Sequence, residues 1–193
     1  MLDCLLRIQY HNDQSAFKYF YEQQMFSLFR FAFSFLKNKE ASEEVVNDVF
    51  LRLWEKRHTL DTIKNLKVYL YTAVKNGCLI YLRDNKKAEA IDLDSVEADH
   101  FYFTLDAQQL LQTKELQKAL EESINSLPPK CKLIFKLVKE DGLSYKEAAC
   151  LLSLSEKTID NQLVTALKKL HFVLRPFLEE FAAFSSSKNN SKK

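Results

Sequence analysis

Residues 144–170, SYKEAACLLSLSEKTIDNQLVTALKKL, hold two stretches of helical periodicity separated by three residues, and this spacing constrains the fold more than any other feature of the chain. Two helices joined so tightly must cross steeply, as in a helix-turn-helix. In the second stretch Ile159, Leu163, Ala166 and Leu170 recur at a 3.6-residue period and form one narrow apolar stripe. Lys157, Thr158, Asn161, Gln162, Thr165, Lys168 and Lys169 fan across the opposite side. The stripe can dock on a core while the fan enters a groove. Asn and Gln pair bidentately with adenine, Thr suits a thymine methyl or a phosphate, and Lys reaches guanine edges or phosphates. A solvated amphipathic helix is the plainer alternative, but few such helices gather so many amide and hydroxyl groups near their start. Both starts are encoded locally: Ser144 with Glu147 makes a capping box, and Ser155 is an N-cap for the second helix. Ala149 falls where crossing helices approach closely. Ser153 occupies the turn, where glycine is common, and therefore has to take a less easy backbone conformation.

The rest of the chain reads as all-α. It is 47% hydrophobic, with two glycines and three prolines in 193 residues, a composition that suits folded helices. The net charge of +2 is too small to announce nucleic-acid binding, so the distribution of charge carries the argument. Cys4, Cys78, Cys131 and Cys150 are far apart and without a CxxC pair or a nearby histidine cluster, which points to thiols in a reducing cytoplasm rather than a metal site. Gly77 and Gly142 are isolated, so no phosphate-cradling loop is expected, and His11, His58, His100 and His171 show no triad or ligand spacing. No cofactor, metal or catalytic activity is expected. The N-terminal apolar run is too short for a secretory signal and no later run approaches membrane-spanning length, so a cytoplasmic protein without membrane insertion is expected.

A composition break divides the chain. Residues 88–113 contain no Lys or Arg but carry Glu89, Asp92, Asp94, Glu97, Asp99 and Asp106. This acidic linker separates an N-terminal domain, 1–87, from a C-terminal helix-turn-helix domain, 114–176, which is followed by a polar tail, 177–193. Phe101, Tyr102, Phe103 and Leu105 give the linker side chains that can dock. The N-terminal domain is expected to begin with a helix from near Ser15 to Leu36, supplied with apolar residues from Phe17 to Phe35. A second helix is expected to start at Ser42 as N-cap and to bury Val46, Val49, Phe50, Leu53 and Trp54. Its other side presents Glu44, Asn47, Asp48, Leu51 and Glu55. Leu51 on that polar side is either a scattered surface residue or an anchor in a polar-rimmed interface. A third segment, 58–87, interleaves cations with aromatics: Asn65, Lys67, Tyr71, Lys75, Asn76 and Arg83 lie outside its packing stripe. Such a mixture suits unpaired nucleic acid, since rings stack on bases and cations follow phosphates; core aromatics with solvated lysines are the alternative.

FLRLWEKR, then NLKVYLYTAVKNGCLIYLRD, an acidic linker, and INSLPPKCKLIFKLVKEDGLSYKEAACLLSLSEKTIDNQLVTALKKL stand in an order, spacing and total length that resemble the extracytoplasmic-function sigma factors of bacterial RNA polymerase. The resemblance covers nearly the whole chain apart from its two ends. It implies an alternative sigma factor that binds core RNA polymerase and directs promoter-specific initiation. On that resemblance Asn47, Asp48, Leu51, Arg52 and Glu55 would bind the clamp helices of the largest polymerase subunit. Residues from about Leu60 to Arg83 would recognise the minus-ten element and trap an unpaired base, with Asn65, Lys67, Tyr69, Tyr71, Lys75, Asn76 and Arg83 available for the work. Lys157, Thr158, Asn161, Gln162 and Thr165 would read the minus-thirty-five element, with Lys168 and Lys169 on phosphates. The implied partners are core RNA polymerase, promoter DNA and an anti-sigma factor. The recognition helix lacks the arginines that many relatives place there, so base preference does not carry over.

Two other readings use the same residues differently. A helix-turn-helix regulator acting on duplex DNA without core polymerase needs a ligand or phosphoacceptor site in the N-terminal domain, and no such chemistry is visible there. A helical adaptor that binds only proteins leaves the fan on residues 157–169 without a purpose.

Overall fold

Asp13 starts the longest apolar helix of the N-terminal half. Its carboxylate accepts from the Ala16 backbone N–H at 2.9 Å and, from the other side, from Arg7 at 2.6 Å. Hydrogen bonds from the Ala16 backbone and from Arg7 hold the Asp13 pKa below its ordinary value, as suits an N-cap carboxylate. The computed structural model describes residues 2–85 and 114–190. The acidic linker, Lys86, Lys87 and the end of the polar tail lie outside the described residues.

The N-terminal half consists of α1 (Leu2–His11), α2 (Gln14–Leu36), α3 (Lys39–Glu55), a 3₁₀ segment (Arg57–Thr62) and α4 (Leu66–Asp84). Helix α1 was not expected from the sequence; Cys4, Leu5 and Ile8 turn one side of it onto the core, and Ile8 is buried. Helix α3 begins earlier than the expected start at Ser42. Lys37 adopts a left-handed conformation that closes α2, and Asn38 accepts from the Ala41 N–H at 2.8 Å to open α3 at once. Ser42 is buried inside the first turns and donates to the Asn38 carbonyl. The buried side of α3 is otherwise the expected one: Val46, Val49, Phe50 and Leu53 are buried, and Trp54 is half-buried. Phe50 meets Phe17, Phe20 and Tyr21 at ring separations of 6.2, 6.2 and 4.8 Å, largely edge to face.

Helices α3 and α4 approach closely at Gly77, where an added Cβ would lie 2.7 Å from Val45 Cγ1. Val45 is β-branched and stiff, so it cannot swing aside. Gly77→Val is expected to cost about 1–3 kcal/mol through overpacking, lowering the melting temperature by about 2–4 °C for each kcal/mol. Thermal unfolding followed by circular dichroism measures this; an unchanged midpoint would mean that the helices separate freely.

The C-terminal half comprises α5 (Lys114–Asn125), α6 (Pro129–Phe135), a π-helical turn (Lys136–Glu140), α7 (Tyr145–Leu152) and α8 (Glu156–Asn190). Pro129 stands at the start of α6, where its missing N–H costs nothing. Helices α5, α6 and α7 all pack on α8. Ile159, Leu163, Ala166 and Leu170 are each at most 6% exposed, so the stripe read from the sequence is the side that docks. Helix α8 continues through Pro176 to Asn190, beyond the expected domain boundary at 176 and into the segment read as a polar tail.

The helix-turn-helix is as its caps require. Ser144 and Glu147 form both bonds of the capping box, and Ser155 Oγ accepts from the Thr158 N–H at 3.0 Å. Ser153 lies in the left-handed region, φ 57° and ψ 42°. A left-handed L-residue costs about 1–2 kcal/mol, partly offset on replacement by the greater freedom of glycine in the unfolded chain. Ser153→Gly is therefore expected to stabilise the fold by about 0.5 kcal/mol or more. Urea unfolding is the measurement, and a loss of stability would show that the Ser153 hydroxyl matters more than its backbone.

Candidate polymerase and nucleic-acid interfaces

The exposed side of α3 is built by the same periodicity that fills the core behind it. Asn47, Asp48, Leu51, Arg52 and Glu55 are all exposed, and Leu51 is 61% exposed although its neighbours Phe50 and Leu53 are buried. Tyr21 donates to Asn47 Oδ1 at 2.9 Å, fixing one edge of this surface. Beside it a groove runs between α3 and α4, lined by Glu44, Asp48 and Arg52 on one wall and Ile80, Tyr81 and Asp84 on the other. An exposed leucine among Asn47, Asp48, Arg52 and Glu55, next to a groove with charged and apolar walls, can meet an apolar side chain of a partner within a polar rim.

The second surface starts at the 3₁₀ segment, which α1 and α3 hold from two sides. Gln9 is buried and donates to the His58 carbonyl at 3.1 Å. Arg57 lies 4.6 Å over the Trp54 ring, donates to the Trp54 carbonyl at 2.8 Å and reaches Asn12 Oδ1. Leu60 is buried beneath. Asn65 then caps α4 by accepting from the Val68 N–H at 3.2 Å. Along α4 the expected residues separate. Asn65, Tyr69, Asn76 and Arg83 are exposed, Lys67 and Lys75 are half-buried, and Tyr71 is buried.

Tyr71 corrects the sequence reading. Only 2% of it is exposed, and its ring meets Phe31 edge to face at 5.0 Å. Burial raises its pKa well above the ordinary tyrosine value, with Asp141 adding to the effect. In this conformation it is a core and contact residue and cannot stack on a base. The reason is tertiary: α2 packs on that side of α4, so Phe31 covers the ring.

The third surface is the outer side of α8. Lys157, Asn161, Thr165, Lys168 and Lys169 are exposed, while Thr158 and Gln162 are half-buried. Thr165 donates to the Asn161 carbonyl at 2.9 Å, and Lys157 lies 3.4 Å from Asp160. All seven residues lie away from the buried stripe, on one helix whose first turn is capped from the turn before it. Amides near the start and ammonium groups further along give base edges and phosphates separate partners.

Sequence reasoning missed Arg30, Glu140 and Asp141. Arg30 is the one cation in the Phe-rich stretch FSLFRFAFSF, and an isolated charge on an apolar helix asks for a buried partner. Arg30 Nη1 meets Glu140 Oε2 at 2.7 Å and Nη2 meets Asp141 Oδ1 at 3.5 Å, with all three side chains at most 13% exposed. Among the described residues no group of His, Cys, Asp or Glu could hold a metal ion, and no helix is long and apolar enough to cross a membrane.

Two family models match the chain in the order of these surfaces: sigma-70 region 2 over residues 20–88 and sigma-70 region 4 over residues 117–170. The ECF RNA polymerase sigma factor SigM of Bacillus subtilis is 26% identical over 150 residues, covering 78% of this chain and 90% of that protein. The chain belongs to the extracytoplasmic-function (ECF) sigma factors. The ECF sigma-E factor of Escherichia coli is 22% identical over 142 residues, 70% of this sigma factor and 74% of its relative. Two solved structures also align. The sigma factor RpoE in complex with the anti-sigma factor NepR from Bartonella quintana has 22% identity, a TM-score of 0.44 and coverage of 82% of this chain and 98% of that one. CnrH in complex with the cytosolic domain of CnrY has 20% identity, a TM-score of 0.48 and coverage of 89% and 96%. As a member of this family the sigma factor binds core RNA polymerase and directs promoter-specific transcription initiation.

Proposed function

We propose that this sigma factor divides that task among its three surfaces. The α3 side, with Asn47, Asp48, Leu51, Arg52 and Glu55, holds the clamp helices of core polymerase. The 3₁₀ segment and α4, with Asn65, Lys67, Tyr69, Lys75, Asn76 and Arg83, take the melted strand of the minus-ten element; Tyr71 sets the packing of α4 rather than stacking on a base. The outer side of α8 reads the minus-thirty-five element through Lys157, Thr158, Asn161, Gln162 and Thr165, with Lys168 and Lys169 on phosphates. The domain limits 1–87, 88–113 and 114–176 belong to the same reading, with α8 extended past the last of them. The protein acts in the cytoplasm, is not an enzyme, and is held in check by an anti-sigma factor.

The observation that carries this reading is the coexistence of a buried stripe and an exposed amide–hydroxyl–ammonium fan on α8 with an exposed Leu51 on α3. Duplex readout alone explains the first, and protein binding alone explains the second. The test is reconstitution with bacterial core polymerase. The chain is expected to co-elute with core and to direct initiation from specific start sites on genomic DNA fragments. Duplex binding without core association would favour an autonomous helix-turn-helix regulator instead.

A further inference from the structure

The 3₁₀ segment that leads into α4 does not fix its own shape. It is two short turns joined at Thr59, whose φ of −114° and ψ of 16° break the helical geometry. Hydrogen bonds of a 3₁₀ turn are poorly aligned, so the angle between two such turns is set by what lies against them. Leu60 is buried under the second turn, while His58, Thr59, Asp61 and Thr62 are exposed. Most side chains of the segment therefore face outward, and its backbone has to be held by other elements. A surface that receives an unpaired base needs its groups held to within about 0.5 Å by supporting hydrogen bonds.

That support comes from α1. Gln9 is 4% exposed beside the apolar residues that dock this helix, an expensive place for an amide unless its groups are bonded. Its Nε2 donates to the His58 carbonyl at 3.1 Å, 49 positions along the chain. One residue earlier in the segment, Arg57 donates from Nε to Asn12 Oδ1 and from Nη1 to the Trp54 carbonyl at 2.8 Å, with its guanidinium 4.6 Å over the Trp54 ring. Two consecutive residues of the first turn are thus tied to the end of α1 and to the residue that follows it. The other end of this brace is stiff. Ile8 is 1% exposed, Arg7 pairs with Asp13 at 2.6 Å, and Asp13 in turn caps α2. Asn12 lies in the left-handed region at φ 49°, a conformation that persists where the surroundings over-determine it.

Neither residue belongs to a DNA or polymerase surface: Gln9 is covered, and Asn12 sits in the turn between α1 and α2. We propose that α1 is a positioning element for minus-ten recognition: Gln9 and Asn12 fix the 3₁₀ segment at His58 and Arg57, and this sets the geometry in which its exposed side meets an unpaired base. This rests on the assignment of the 3₁₀ segment and α4 to the melted strand made above. The brace acts on selectivity rather than on grip. A segment free to change its angle still follows phosphates by charge, but it no longer presents its polar groups at one distance from the base. Promoter choice by this sigma factor thus depends on residues that touch no base.

The test uses holoenzyme reconstituted from the full-length chain and bacterial core polymerase. It transcribes templates built on one promoter mapped with the parent, the minus-ten positions randomised in one pool and the minus-thirty-five positions in a second. Sequencing the transcribed templates gives the preference at each position. Gln9→Met keeps the volume and removes the donor, so it should flatten minus-ten preference about tenfold, the effect of one carbonyl left without its partner. Minus-thirty-five preference and core affinity should stay within about twofold, because α8 and the outer side of α3 are untouched. Asn12→Gly removes the Arg57 acceptor at an exposed position and gives φ 49° a residue that takes it freely. It should lower minus-ten preference about threefold with a melting midpoint within about 2 °C of the parent's, a split that a merely structural role would not produce. This second variant decides the matter alone if Gln9→Met fails to fold. Unchanged minus-ten preference overturns the proposal. A parallel fall in both preferences and in core affinity overturns it too, since Gln9 would then hold the fold as a whole. Tyr69→Ala and Asn76→Ala, run in the same pools, test the assignment beneath it. If they change minus-ten preference and the α1 variants do not, the assignment stands and the brace falls; if no variant does, both fall.

Discussion

Replacing Leu51 by Asp is expected to weaken binding to core RNA polymerase by about 2 kcal/mol or more, roughly thirtyfold in affinity, while leaving the free chain's unfolding midpoint unchanged. Leu51 is 61% exposed, so its removal creates no cavity, and surface substitutions of this kind usually change stability by less than about 0.5 kcal/mol. At a docked interface the same position loses an apolar anchor and gains a desolvated carboxylate. Asp48→Lys, one turn earlier on the same side, reverses the charge that would attract a basic partner and should act mainly on association rate and salt dependence. Surface plasmon resonance with immobilised core, at two ionic strengths, separates the two effects. If both variants bind core as the parent does, the polymerase interface lies elsewhere.

Much of this architecture was legible because it is local. The capping box of Ser144 with Glu147, the N-cap at Ser155 and the three-residue turn are written within a few residues of one another, and the structure forms each of them. The apolar stripe of α8 follows from a period that any helix must obey. The error at Ser42 was also local: two good caps compete, and Asn38 wins because Lys37 has already closed α2 in a left-handed conformation. Tyr71 failed for a different reason. An aromatic next to cations on α4 reads alike whether it faces water or Phe31, and only the packing of α2 on α4 decides. The contacts between the two halves were beyond reach in the same way. Arg30 and Glu140 lie 110 positions apart, and the lysine–carbonyl bonds join Lys67 to Asp141 and Lys75 to Leu151, 74 and 76 positions apart. No periodicity links such residues. What the sequence does carry is the lone cation in FSLFRFAFSF and the carboxylate pair before Gly142, each of which signals a missing partner without naming it.

The recognition helix should divide specificity from attraction along its own length. Asn161 is exposed near the start of α8, where the helix-turn-helix geometry places base-contacting side chains, and a bidentate amide on adenine is worth about 1–3 kcal/mol against the wrong base. Asn161→Ala is therefore expected to relax selectivity at one minus-thirty-five position by about that amount and to leave the salt dependence of binding unchanged. Lys168 lies about two turns later, exposed beside Lys169, and offers a single ammonium that follows the backbone rather than the base edge. Lys168→Ala should weaken every sequence to a similar degree and reduce the slope of log affinity against log salt by about one. Because Asn161 and Lys168 are exposed, both effects can be measured on duplex DNA without polymerase, by selecting bound sequences from a random library and then titrating the best of them across a range of salt. Uniform losses on all sequences from both substitutions would mean that α8 grips the backbone alone, and that base discrimination at this element comes from another part of the molecule or from the shape of the DNA.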